Sequence, residues 1–415
     1  MSASFTVLLI IYYWYKSFKE PHFSLIAFIS LYILEYQIST PILSSGILKS
    51  FLIIWVFFVF LYRNQFKKPL TIISIVFAFI IFIALFNIGE LFDHNSSGWV
   101  LTYLQLGMLA YLISISFDSK KKYLDLANCF IISSLLGFIF FYKELEEITG
   151  QESMDSANMV ARFYLIAIIF CFYYVFTNKR NIIKLLYAFC SAILIVGIFF
   201  TGSRSILLIV PIVLIYLSYK FNKLSLQNMS IMLGLFVIII FIIPEVLMDT
   251  TLESFDSENY QSGAGTTELN SIDNNIRLSL WEAGFRMFFD NNILIGLGIN
   301  GYRDRILDYL PILTYSVTNA HNTYLAILFE FGIIGFSLFI MIIVNSLKII
   351  FKNNKILTKQ KTSILDFWRV AFVVYLVSCI TKHDHNEKLI YIFIGIAASL
   401  EYLMYNLNRQ KIVDK

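Results

Sequence analysis

Five arginines and one histidine hold most of the chemistry this sequence could perform. Arg162, Arg204, Arg277, Arg303, Arg305 and His321 stand near the ends of apolar segments or in polar connections, in a chain that is 58% hydrophobic and has five histidines. Guanidinium groups stay charged and match phosphate oxygens two at a time, so several at one level suit a pyrophosphate. Histidine is the side chain whose ordinary titration falls near neutral pH, which suits a general base. His321 opens "HNTYLAILFEFGIIGF", with Asn319, Asn322 and Tyr324 beside it to orient the ring. Arg204 lies in "TGSRS", wedged between two apolar segments with almost no loop, and Arg162 follows Asn158 in "SANMVAR". The plain alternatives are a snorkelling side chain for any single arginine and a hydrogen-bonded structural ring for the histidine. Arg204 resists that alternative best, because short connections on its side of the membrane hold few other cations.

Other features nearby invite a functional label. "GLGING" (296–301) has the glycine spacing of a nucleotide-binding turn but no preceding strand, so it reads as a tight turn. "KHDHNEK" (382–388) holds His383, Asp384 and His385. These offer metal-ligand types, yet a short polar loop rimming the same cavity is the simpler reading, and no metal or other cofactor is expected. Glu330 falls about half a helical rotation from His321 and reads as a buried interhelical partner, with Gly332 and Gly335 allowing close helix packing.

Such residues need elements to hold them, and the composition says which. The 415 residues are 17% aromatic and 14% charged, with mean hydropathy +0.73; a soluble domain is about a quarter charged. Thirteen apolar segments recur, at 3–16, 23–38, 46–62, 69–88, 99–117, 124–142, 158–177, 182–201, 204–219, 226–248, 322–347, 364–381 and 389–406. The first is short, so the expectation is an all-α polytopic membrane protein with 12–13 transmembrane helices. "SASFTVLLIIYYWYK" lacks a basic start and a small-residue cleavage site, and reads as a retained helix. The four cysteines lie in apolar segments without CxxC or zinc spacing, as buried small hydrophobes.

Lysine and arginine orient the segments. One set of alternate connections, ending with the C-terminal tail, carries 21 of them, against five in the short connections of the opposite set. The richer side is cytoplasmic. Three regions result: N-terminal helices over 1–248, one long extracytoplasmic loop over 249–318, and C-terminal helices with a cytoplasmic tail over 319–415. The first half of the long loop is polar and Gly/Ser-rich. Its second half, "NNIRLSLWEAGFRMFFDNN", predicts a helix near 275–290 with Leu278, Trp281, Phe285 and Phe288 on its apolar side, lying at the membrane surface or across the bundle.

Four separated stretches together resemble the O-antigen ligase and O-antigen polymerase family of bacterial membrane glycosyltransferases. "SANMVARFYLI" resembles its Asn-x-x-Ala helix start and "TGSRS" its Thr-Gly-Ser-Arg hinge. "IRLSLWEAGFRMFFDNNILIGLGINGY" resembles its Arg…Trp helix followed by a Gly-x-Gly turn, and "HNTYLAILFEFGIIG" its His-Asn-x-x-Leu…Glu-x-Gly-x-x-Gly segment. The likeness covers residues 155–400. Many relatives have proline before the Gly-x-Gly turn, where this chain has Leu294-Ile295.

The resemblance implies a GT-C-like helical fold and transfer of a glycan from undecaprenyl diphosphate to an acceptor hydroxyl outside the cytoplasm. It implies Arg204 and Arg277 on the diphosphate and His321 as base. Asn158, Arg162, Arg303, Arg305, Asn322, Tyr324, His383 and His385 would line the substrate site. It also implies an undecaprenyl-diphosphate-linked oligosaccharide and an acceptor glycan as ligands, with flippase and chain-length regulator proteins as partners and no nucleic acid. Polymerase is the leading expectation and ligase its rival. A flippase would show internal repeats and a deep charged pathway, neither of which the sequence offers.

Overall fold

The computed structural model describes residues 2–35, 46–62, 67, 69–86, 97–144, 153–201, 203–221, 276–310, 319–352, 363–382 and 387–413. These residues form fourteen α-helices and no strand. The first nine are α1 (Ser2–Ser17), α2 (His22–Glu35), α3 (Gly46–Tyr62), α4 (Thr71–Phe86), α5 (Ser97–Ser116), α6 (Lys120–Glu144), α7 (Ser153–Thr177), α8 (Asn181–Phe200) and α9 (Arg204–Lys220). After them come α10 (Ile276–Asp290), α11 (Gly301–Tyr309), α12 (Thr323–Lys352), α13 (Ile364–Ser378, continued as a 3-10 turn Cys379–Thr381) and α14 (Lys388–Val413).

Helices α1–α9 and α12–α14 fall on twelve of the thirteen apolar segments; the segment at 226–248 and the loop stretch 249–275 lie outside the described residues. Seven helices are long and apolar enough to cross a membrane (α5–α8 and α12–α14), and His22–Glu35, Thr71–Phe86 and Ser205–Lys220 are shorter apolar helices. The chain is an all-α, multi-pass membrane protein. Apolar side chains of α8, among them Ile182, Leu185, Leu186 and Phe189, are exposed among the described residues, as on a helix that faces lipid.

Two compact units share the chain. The first comprises residues 1–66, 119–259 and 354–374. Within it α2 and α6 meet once per turn. The His22 ring nitrogen Nε2 lies 3.1 Å from Asp125 Oδ2, the Cys129 thiol points to the Ile26 carbonyl, and the Ser30 and Ser133 hydroxyls are 2.8 Å apart. Contacts that advance by four residues on both helices mean that the two run parallel. Parallel neighbours enter the membrane from one side, which agrees with three segments lying between the second and the sixth. Helix α7 is buried at every residue from Met159 to Cys171, a stretch that is apolar on every side apart from Arg162 and the hydroxyl of Tyr164.

The second unit comprises residues 67–118, 260–353 and 375–415. Here the Glu401 carboxylate of α14 accepts from the backbone N–H groups of Thr71 and Ile72 at 3.2 and 3.1 Å, and so caps α4. The start of α4 thus lies beside the C-terminal part of α14, and both are on the lysine-rich side of the expected topology. Rings from α4, α5 and α12 meet edge to face, with Phe331 5.8 Å from both Phe79 and Tyr103. Gly335 packs as expected: a Cβ there would come 2.9 Å from the Phe82 ring of α4.

Candidate active site

Residues expected at the site are divided between the two units. Asn158, Arg162 and Arg204 belong to the first; Arg277, Arg303, Arg305, His321, Asn322 and Tyr324 belong to the second. His383 and His385 lie outside the described residues.

In the first unit, the expected hinge is tight. Helix α8 ends at Phe200 and α9 begins at Arg204. The Thr201 hydroxyl donates to the Ile198 carbonyl at 2.7 Å and lies 3.4 Å from the Ser203 N–H. The Ser203 carbonyl accepts from Leu207 N–H at 3.0 Å, which fixes Arg204 in the first turn of α9. The Ser203 hydroxyl is buried and has no hydrogen-bond partner among the described residues. The Arg204 side chain is not among the side chains described. Arg162 keeps its expected place near the end of its segment, as the fifth residue of the apolar span Asn158–Thr177. Helix α7 extends back to Ser153, beyond that span, and Arg162 is only 3% exposed. The polar "SMDSA" preceding the apolar run hides that extension, because sequence hydropathy cannot separate a helix turn in water from a loop. Asn158 is half-buried.

In the second unit, α10 carries an exposed Arg277 near its start. Its buried stripe is Leu280, Ala283, Met287 and Phe288, packed with Tyr302 and Ile306 of α11 and with Ala326 and Phe329 of α12. This corrects the expected apolar side: Trp281 is only partly buried, Phe288 is buried, and Leu278 and Phe285 are 57% and 37% exposed. Hydropathy alone cannot tell a face turned to protein from one turned to lipid. Tyr302 stacks on Phe329 with ring centroids 5.5 Å apart, and its hydroxyl donates to the Leu280 carbonyl at 2.9 Å.

Helix α11 was not anticipated, and it carries Arg303 and Arg305, both exposed. Arg305 Nη1 donates to Asn291 Oδ1 at 2.9 Å and Tyr309 donates to Asp290 at 3.0 Å, so both tie α11 to the end of α10. The bond to the Asp290 carboxylate also raises the pKa of the Tyr309 phenol.

The glycine motifs prove to be one device. Gly332 (φ 64°) breaks α12. Gly332 stands nine residues beyond Thr323, about 14 Å along the helix. There Leu297 N–H and Gly298 N–H donate to the Phe329 and Glu330 carbonyls, and Ile333 N–H and Ile334 N–H donate to those of Ile293 and Leu294, all between 2.9 and 3.1 Å. The turn that sequence spacing likens to a nucleotide loop therefore supplies the backbone partners of a broken helix. Within a membrane such groups must be satisfied by protein. Gly332 does allow close packing, and its close neighbour is the backbone of the 293–298 turn, which runs beside the first half of α12. Glu330 is buried as expected, within electrostatic range of Tyr103 on α5.

His321 lies half-buried just before α12 in a left-handed backbone conformation, φ 45°. For a residue other than glycine this costs about 1–2 kcal/mol, and such outliers concentrate at functional sites. Hydrogen bonds hold both sides of it. Trp281 Nε1–H donates to the Ala320 carbonyl at 2.8 Å. Asn322 Oδ1 accepts from Tyr324 and Leu325 N–H at 3.0 and 3.1 Å, capping α12. The Thr323 hydroxyl donates to the Lys382 carbonyl at 2.6 Å and the Tyr324 hydroxyl to the Leu376 carbonyl at 2.9 Å. Asn322 thus spends its oxygen on the cap, which leaves its amide nitrogen for any ligand. Lys382 brings the start of "KHDHNEK" next to Thr323, two residues from His321.

Elsewhere, Glu20, His22 and Asp125 offer metal-ligand atoms within 4.8 Å of one another. Lys121 donates to Glu20 at 2.8 Å and holds that carboxyl's pKa below its usual value, so the group functions as an ion-pair network between α6 and the α1–α2 turn.

Comparison with known families places a name beside this arrangement. The model of the O-antigen ligase family matches residues 189–340, from within α8 to within α12. The match includes Arg204, Arg277, Arg303, Arg305, His321, the Gly-x-Gly turn and the break at Gly332. It agrees with the family indicated by the motifs and points to activity of the O-antigen ligase or polymerase type, without separating the two. A search of curated proteins finds no match.

Proposed function

We propose that the protein is a glycosyltransferase of the bacterial cytoplasmic membrane that polymerises lipid-linked glycan repeats on the extracytoplasmic face. Its donor is an undecaprenyl-diphosphate-linked oligosaccharide, and its acceptor is a sugar hydroxyl on a second lipid-linked repeat. His321 takes the proton of that hydroxyl as the oxygen attacks the anomeric carbon. The bond from that carbon to the diphosphate breaks, and undecaprenyl diphosphate leaves with the bonding pair. Arg204 and Arg277 neutralise the charge that grows on the leaving group, with Asn158, Arg162, Arg303, Arg305, Asn322, Tyr324, His383 and His385 around the two substrates. One displacement inverts the anomeric configuration. A flippase and a chain-length regulator are the expected partners.

The observation that best supports this reading is the fixed left-handed backbone of His321, joined through Ala320 to the helix that carries Arg277. A base at a helix mouth stands where a donor held in lipid meets an acceptor from water. The polymerase form rests on the acidic, Gly/Ser-rich stretch 249–275, which suits an acceptor-specific lid over a cavity that must admit a second carrier. The test is the product left by a deletion strain. Loss of a polymerase leaves single repeat units on the surface lipid or carrier. Long polymer stranded on the polyprenyl carrier, with bare acceptor at the surface, would instead make the protein a ligase.

A further inference from the structure

Trp281 sits one turn after Arg277 on α10, and its indole N–H reaches the carbonyl of Ala320. That carbonyl belongs to the peptide preceding His321. Its carbon is one of the four atoms that define φ of His321, so whatever fixes its direction bears on the left-handed value of 45°. Ala320 is fully buried, which leaves no water to replace the indole. On the other side of His321, the Asn322 cap and the Thr323–Lys382 bond hold the following peptides. The conformation of His321 is therefore set from both sides, and one of the two holds comes from a different helix.

We propose that Trp281 is a positioning residue for His321. It sets the direction of the imidazole through the Ala320 carbonyl and couples the base to the helix bearing Arg277. Thr323 supplies the matching hold from the α12 side. The inference rests on the reading of His321 as the base, but the position of the ring can be measured independently of transfer. A tryptophan that only filled space would do so through its rings, and Phe329, Met287 and Tyr302 already pack the seam beneath it.

The test compares Trp281→Phe, which keeps an aromatic ring and removes the N–H, with Trp281→His, which keeps a ring N–H. Thr323→Val is the second variant, to be read if Trp281→Phe does not accumulate in the membrane. Two quantities are measured on the full chain in detergent: donor kinetics, and carbethoxylation of His321 by diethyl pyrocarbonate, mapped by peptide mass spectrometry. In Trp281→Phe, kcat should fall about tenfold or more with KM for donor little changed, because a misdirected base costs rate rather than binding. The modification rate of His321 should change by about threefold or more, and Trp281→His should recover part of both, since only the donor is restored. Wild-type kcat and an unchanged modification rate in Trp281→Phe, or in Thr323→Val where that variant is read, would overturn the proposal. If His321→Asn keeps its activity, the base assignment fails. The modification rate still decides whether Trp281 holds the ring.

Discussion

Gly296 and Gly332 meet backbone to backbone. A Cβ on Gly296 would lie 2.5 Å from the amide nitrogen of Gly332, and one on Gly332 would lie 2.6 Å from the amide nitrogen of Gly296. Both have positive φ, 77° and 64°. Gly332→Ala should therefore destabilise the protein by about 3 kcal/mol, combining left-handed strain with overpacking against backbone. Ile333→Ala, next door but exposed, should cost far less. Thermal unfolding of the two variants in detergent checks this, and equal midpoints would mean that the turn and the broken helix are not locked together.

Arginine replacements should remove activity without removing the protein. Arg277 is exposed, so Arg277→Ala should insert and unfold like the wild type. Transfer should fall about a hundredfold or more in Arg277→Ala and Arg204→Ala, the effect of losing one charge-assisted contact to a leaving group. Lysine should restore only part, because it lacks the planar fork. Product formation from labelled donor in membrane vesicles measures this, and near-normal transfer in Arg204→Ala would take that residue out of the mechanism.

The base makes a prediction about pH. A protonated imidazole cannot accept a proton, so transfer should decline below about pH 6 and hold above it. His321→Asn, whose side chain tolerates the left-handed backbone, should fold and be inactive. Transfer should persist in EDTA, since arginines supply the positive charge that a metal ion would otherwise provide. Chelator-sensitive transfer together with an active His321→Asn variant would move attention to His383, Asp384 and His385.

The lysine and arginine distribution predicts the orientation. A cysteine placed at Ser262 should react with an impermeant reagent added to intact cells, and one at Lys355 should react only after the membrane is opened. External labelling at Lys355 would reverse the assignment.

The sequence by itself determined the membrane class, the positions of twelve described helices and the residue types of the candidate site. Runs of about twenty apolar residues leave the backbone no alternative to helix in lipid, and charge bias sets which ends share a side. It also supplied the pieces of the His321 surroundings: Asn322 beside the ring, Trp281 on the loop helix, and glycines in both "GLGING" and "EFGIIG". What it could not give was their pairing. The bond from Trp281 to Ala320 spans 39 residues, and the backbone bonds from Leu297 and Gly298 to Phe329 and Glu330 span 32 each. Such contacts depend on a helix breaking at Gly332 and on which face of α10 meets protein instead of lipid. Both choices are made by packing, where Phe329 fills the seam between α10 and α11, and composition is the same on either side of that decision. The residue types proposed for the site are read locally from the sequence; the packing around His321 is long-range, and only the tertiary structure decided it.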